Sequence, residues 1–257
     1  EMIKNKYFLL SLLTIYTCIG IYLGITTGLT SDEAIEQRTW IINLAAIENF
    51  FKHGNYDDFL QYEDKYHGIG FHYISIPIQS LIYKFVAELN DVSLHGAYLL
   101  SKHAIVFITF SVSGIFFYLL SLKIINDKVF ALIATAIYLL YPYLFGHSQF
   151  NTKDVPFLSF WVICTYFSLI ILEDLFNEKK IIYKNLFLLS LFTAFLISIR
   201  ILGLIIFAQY LISIIVLFNI KRINFLEFFF KNYKAFIIFL FSVLVLIYAM
   251  NPIFWQN

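Results

Sequence analysis

The sequence predicts an all-α fold, a polytopic membrane helix bundle of about seven spans with amphipathic surface helices inside its first outer loop. Composition is the first ground. Of 257 residues, 60% are hydrophobic and 14% charged, with a mean hydropathy of +0.78. A soluble domain carries roughly a quarter charged residues. The second ground is the recurrence of apolar runs near the ~20 residues that cross a hydrocarbon core of ~30 Å. A net charge of +1 offers no electrostatic footprint for nucleic acid. Cys18 and Cys164 stand alone in apolar runs and read as small hydrophobes, not as a disulfide or a metal pair.

In chain order, "YFLLSLLTIYTCIGIYLGITTGL" (7–29) is the first span. It has no small-x-small cleavage site and many spans follow, so it reads as a retained helix and not a signal peptide. Residues 30–98 form the first outer loop. It opens "TSDEAIEQRTW", where Ser31 or Asp32 suits a helix N-cap. The same stretch places Asp32 at the membrane surface, where a carboxylate can act as a general base. In "WIINLAAIENFFKHGNYDDF" (40–59), Ile41, Leu44, Ala45, Ile47 and Phe51 recur at helical spacing before a Gly-Asn turn. This predicts an amphipathic surface helix anchored in lipid. His67 and His72, five residues apart, fit a helical metal pair poorly.

"IGFHYISIPIQSLIYKF" (69–85) is apolar but interrupted by His72, Pro77, Gln79 and Lys84. If it lies on the surface, Lys4, Lys6, Lys123, Lys128, Lys179, Lys180, Lys184, Lys221, Arg222, Lys231 and Lys234 share one side. Those are eleven of the eighteen basic residues, and the positive-inside rule makes that side cytoplasmic. Spans follow at 104–122, 129–145 and 155–172. The 36 residues between Lys184 and Lys221 carry one charge, Arg200. One straight helix of that length would run about 54 Å, so two helices with a turn at Arg200–Gly203 are expected. Arg200 then reaches the interface instead of the costly bilayer centre. The run 235–250 is the last span. The chain 1–257 reads as a single membrane domain, the beginning of a longer protein.

Between the third and fourth spans stands "HSQFNTKDVP" (147–156). Asn151 or Thr152 suits a cap for the helix that follows, with Asp154 in its first turn and Pro156 near its start. A capped helix start carrying a lysine is also an anion site. Lys153 and Arg200 are thus candidates for a lipid phosphate, Arg200 through a bidentate fork.

The "DE" pair after the first span, "PYLFGHSQFNTKDVP" (142–156), "SIRILGL" (198–204) and a last span ending "NPIFW" together resemble the bacterial C-type membrane glycosyltransferases. In particular they resemble the dolichyl-phosphate-mannose–protein mannosyltransferase superfamily and the aminoarabinose transferases. The similarity runs over nearly the whole chain and matches the N-terminal half of those longer enzymes. It implies transfer of a sugar from a polyprenyl-phosphate donor to an acceptor hydroxyl or amine on the periplasmic face of the bacterial inner membrane, with inversion. Asp32 matches the base. Glu33 would support it or help bind a divalent metal. From charge and side, Lys153, Arg200 and His147 are candidates for the donor phosphate, with Asp154 and Asn151 beside them. The partners implied are the lipid-linked donor, membrane lipid and an acceptor of unknown kind. A transporter or lipid flippase is the alternative. It would place its ionisable groups mid-membrane on repeated, broken helices, and neither pattern is present here.

Overall fold

The computed structural model describes residues 6–177, 182–222 and 225–255. Among these residues no strand occurs and the fold is helical. In order the helices are α1 (Lys6–Thr26), α2 (Ser31–His53), α3 (Asp57–Leu60), α4 (Gly70–Asn90), α5 (Leu94–Ile125), α6 (Lys128–Leu140), α7 (Pro142–His147), α8 (Asp154–Phe176), α9 (Tyr183–Ile199), α10 (Ile206–Lys221) and α11 (Phe225–Met250). Two short 3₁₀ turns, Ile201–Ile205 and Pro252–Phe254, precede α10 and follow α11.

Five apolar stretches are long enough to cross a membrane: Tyr7–Thr26, Leu94–Ile125, Asp154–Phe176, Ile201–Lys221 and Leu226–Met250. Two further apolar helices, α6 and α9, are shorter at 13 and 17 residues. The expected span at 129–145 is divided because Pro142 has no N–H to continue α6 and instead opens α7. The expected span at 104–122 is longer than its apolar run. Ser93 Oγ accepts the Gly96 amide at 3.2 Å and starts α5 ten residues earlier. At ~1.5 Å per residue, α5 runs about 48 Å and exceeds a hydrocarbon core.

α5 is the centre of the packing, with α1, α4, α6 and α8 against it, while α9 joins α8 to α11. Phe107 and Phe110 of α5 are fully buried in the apolar core. The 36-residue run breaks where expected. α9 stops at Ile199, Arg200 is extended (φ −146°, ψ 131°), and the 3₁₀ turn leads into α10. Thr193 of α9 and Tyr210 of α10 then face each other across a 2.9 Å hydrogen bond.

The two ends of the bundle differ. One gathers Lys123 with Glu173, and Lys221 with Asn177. The other gathers the C-terminal end of α1, the start of α8 and the Arg200 turn. Across this second end runs α4. Asn90 Nδ2 donates to Ile25 O (3.0 Å), Gln79 Nε2 to Tyr98 O (2.9 Å), and the start of α4 rests on the end of α9. Gly68 makes that last contact possible, since a Cβ there would sit 2.3 Å from Ser198 O.

α2 is amphipathic in an inverted sense. Its buried face holds Glu33, Glu36, Thr39, Trp40, Asn43 and Ala46. Ile41, Leu44, Ala45 and Phe51 are exposed and Ile47 is partly so, which places the apolar set read from the sequence on the outer face. Gly54, in the left-handed region at φ 73°, ends the helix by donating its N–H to Phe50 O (2.9 Å).

Candidate functional site

The polar face of α2 needs partners, because a buried carboxylate is tolerated only when paired or hydrogen-bonded. They come from α5. Glu33 is capped into place first: its Oε1 accepts from Thr30 N (2.8 Å) and Thr30 Oγ1 (2.9 Å). Thr30, one residue ahead of the expected Ser31 or Asp32, is therefore the cap. Glu33 Oε2 then lies 2.9 Å from His103 Nε2, while His103 Nδ1 meets Gly24 O at 2.8 Å. One turn on, Glu36 Oε2 accepts from Lys102 Nζ (2.8 Å) and from Thr152 Oγ1 (2.7 Å). Lys102 Nζ also stands 3.2 Å from His72 Nε2, and the His72 ring stacks on Trp40 (5.5 Å, 4°).

These bonds fix two protonation states. Burial pushes the Glu36 carboxyl up, but the Lys102 charge and the Lys102 and Thr152 hydrogen bonds outweigh it and hold the group below the usual carboxylate range. Burial and then the nearby Lys102 charge push His72 well below the ordinary histidine value. His72 is therefore neutral, with Nε2 accepting from the Lys102 ammonium and its proton on Nδ1.

Thr152 brings the loop 147–153 to α2. Asn151 Oδ1 accepts from Lys153 N (3.2 Å) and Asp154 N (2.7 Å), the bond pattern of an Asx turn ahead of α8. The residue flanking α8 is Lys153, which makes no side-chain cap bond, so neither expected cap, Asn151 nor Thr152, stands at the cap position; Asn151 closes the turn that leads into the helix. Asp154 Oδ1 is held by Arg200 Nη2 at 2.7 Å, which ties α8 to the α9–α10 turn.

The result is a cleft of about 380 Å³ lined by Asp32, Glu36, His67, Asn151, Lys153, Asp154 and Arg200, among others. Five of the residues singled out from sequence meet here: Asp32, Lys153, Arg200, Asp154 and Asn151. Asp32 is exposed in the first turn of α2, and neither it nor Lys153 forms an ion pair among the described residues. Arg200 is committed to Asp154, so its fork is only partly free for a ligand. Glu33 and His147 do not line the cleft. Glu33 faces His103 in the interior, and His147 packs on Tyr143 (4.3 Å) with Nδ1 3.3 Å from Asn151 Nδ2. His67 turns to the cleft and to Asp64 (3.0 Å) while His72 turns inward, so the two histidines diverge. Among the described residues no group of three or more His, Cys, Asp or Glu side chains is arranged to hold a metal ion.

Sequence reading did not single out Glu36, Lys102 or His103, and named Thr152 only as a possible helix cap. The available signal was "LSKHAIVF", two ionisable residues at the head of a long apolar run, opposite acids three residues apart in "EAIE". Charges so placed demand partners, and Glu33 and Glu36 share one helix face. Comparison with models of known protein families, with curated proteins and with solved structures finds no match.

Proposed function

We propose that this chain is an integral-membrane glycosyltransferase, or the part of one that holds the donor site. It moves a sugar from a polyprenyl-phosphate donor to an acceptor hydroxyl or amine. The observation that carries the reading is one cleft, at one end of an apolar bundle, lined by both an exposed carboxylate, Asp32, and an ammonium, Lys153, neither of which forms an ion pair among the described residues. The resemblance of the "DE" and "GHSQFNTKD" segments to C-type membrane glycosyltransferases points the same way.

In the reaction, the acceptor O–H (or N–H) gives its proton to Asp32 as its heteroatom attacks the anomeric carbon. The bond from that carbon to the phosphate oxygen breaks, and the electron pair leaves with the phosphate. A single displacement inverts the anomeric centre. Charge grows on the departing phosphomonoester, and a fixed cation aimed there lowers the barrier. Lys153 is that cation, with Arg200 adding hydrogen bonds from its pair with Asp154. Glu33 is a positioning residue through the cap that fixes the first turn of α2, and His147 is one through Asn151.

In this reading α6 and α9 bring the crossings to seven. α2 and α4 lie at the outer surface, and the N-terminus is cytoplasmic. Lys4, Lys179 and Lys180 of the basic side lie outside the described residues. Lys6 at the start of α1, Lys123, Lys128, Lys184, Lys221, Arg222, Lys231 and Lys234 support it.

Two measurements test this reading. Membrane vesicles carrying the chain, given polyprenyl-phosphate-linked monosaccharides, should release polyprenyl phosphate. Lys153→Met should slow that release about 10²–10³-fold, the size of losing one charge-stabilising group, with Lys153→Arg recovering part. Movement of lipid across the bilayer without donor cleavage would favour the flippase instead. In a Cys18→Ser background, a cysteine at exposed position 63 should label from outside with an impermeant thiol reagent, and one at exposed position 184 should not. The reverse pattern overturns the topology.

A further inference from the structure

A second cavity lies away from the cleft, between the C-terminal half of α2 and the α3 turn, with a volume of about 530 Å³. Ala45 and Ala46 leave room at its base. Asn49, Asn55 and Gln61 line it, are exposed, and make no side-chain hydrogen bond among the described residues. Tyr62, half-buried, supplies aromatic wall, while Tyr56 and Phe59 are buried behind it. Among the described residues the cavity lining contains no Lys, Arg or His, and Asp57 is its one carboxylate, which disfavours an anionic ligand.

We propose that this cavity binds an uncharged oligosaccharide. The chemistry selects that class. A primary amide both donates and accepts hydrogen bonds, as each sugar hydroxyl does, and three such groups without partners converge here. The half-buried Tyr62 ring offers an apolar face to the C–H side of a pyranose. Without a cation the cavity has no means of holding phosphate or sulfate, and its amides would be left unpaired against an acyl chain. The volume lies in the range of small-molecule sites.

The cavity is also held in shape before a ligand arrives, which spares binding an ordering cost. Gly54 closes the turn, and Tyr56 OH donates to Pro252 O at 2.7 Å. Phe50 and Phe51 pack on Trp255 at 5.5 and 5.9 Å. Tyr62 OH stands 2.9 Å from Thr39 Oγ1 on the buried face of α2.

The cavity and the cleft share one helix. Glu36 lines the cleft and Ala46 and Asn49 line the cavity, a separation of about 15–20 Å at ~1.5 Å per residue. The segment from Tyr62 to His67 passes from one to the other. A glycan chain seated in the cavity can therefore present its growing end to Asp32. That assignment, to the acceptor, rests on the transferase reading; the binding itself does not.

The experiment is titration of the intact chain in lipid nanodiscs with maltotriose, cellotriose and triacetylchitotriose by calorimetry. At least one should bind saturably with a Kd of about 1–10 mM or tighter, and inorganic phosphate should not compete. Asn49→Ala/Asn55→Ala should weaken that binding tenfold or more, and Gln61→Ala, in a loop, should weaken it with an unchanged thermal midpoint. Asp32→Asn should leave it intact. Absence of saturable binding to all three probes, or equal binding by the double variant and Gln61→Ala, overturns the proposal. In a transfer assay the cavity variants should raise acceptor KM tenfold with kcat within about twofold, a split expected when binding alone is lost. Glycan binding without any transfer keeps this site and removes the transferase reading.

Discussion

Replacing Asp32 with Asn is expected to slow sugar transfer by about 10²–10⁴-fold, the usual contribution of a positioned general base. The amide keeps the size and much of the hydrogen bonding of the carboxylate but takes no proton. The structural consequences are small by comparison. Asp32 is exposed in the first turn of α2 and its one described side-chain hydrogen bond is a 3.4 Å contact with Ser31 Oγ. Removing its charge from the helix N-terminus loses ~0.3–1 kcal/mol of dipole stabilisation, against the ~3–5 kcal/mol equivalent to the expected rate loss. The measurement is transfer from a polyprenyl-phosphate sugar by vesicles matched for protein level. Full transfer by Asp32→Asn would remove the base assignment. Loss of transfer together with a collapsed thermal midpoint would mean that Asp32 is structural.

The parts of the site that could be read from sequence are those governed by local rules. Asn151 closes the turn into α8 because an Asx side chain accepts from the amides two and three residues on, although the cap position itself falls to Lys153. Arg200 ends α9 because an apolar run of that length must break, and the one charge marks the break. The apolar set Ile41, Leu44, Ala45, Ile47 and Phe51 is a helix face by spacing alone. What that helix buries on its other side is not a local matter. Glu33 and Asp32 are adjacent in sequence, and the ~100° turn between neighbours on a helix sends one to the interior and the other to the cleft. Which goes where depends on His103, 70 residues away. Likewise Arg200 reads as a free cation until α8 brings Asp154 to it. The fold class followed from composition. The lengths of α5 and α6 did not, because they depend on Ser93 and Pro142 and not on where the apolar run begins and ends.

Lys102→Met should be the most damaging single change to stability. Lys102 and Glu36 are almost wholly buried, with side-chain exposures of 4% and 8%. Removing one partner of such a pair leaves a buried charge uncompensated, which costs about 3–5 kcal/mol. An unfolding midpoint in detergent should fall by on the order of 10 °C. Glu36 stays charged in the native protein because Lys102 and Thr152 offset its burial. Its depressed pKa contributes stability above the unfolded carboxylate value, and that stability is lost as pH falls through the folded one. Without Lys102, the Thr152 hydrogen bond and the Lys153 charge are left to oppose burial of the carboxyl, and the contribution shrinks. Lys102→Met/Glu36→Gln should therefore be more stable than Lys102→Met, because the double variant buries no charge. A double variant no better than the single would show that Lys102 matters for its packing on Phe71 and not for its charge. His72 adds a pH signature in the same direction. Its depressed pKa gives stability that is complete above about 6.5 and is lost as pH falls toward the folded value. The native midpoint should thus decline between about pH 7 and pH 5, and His72→Gln should flatten that decline. Because Thr152 hangs from the same Glu36 oxygen as Lys102, loss of the ammonium should also loosen the 147–153 loop and, with it, the placement of Lys153 in the cleft that Asp32 also lines.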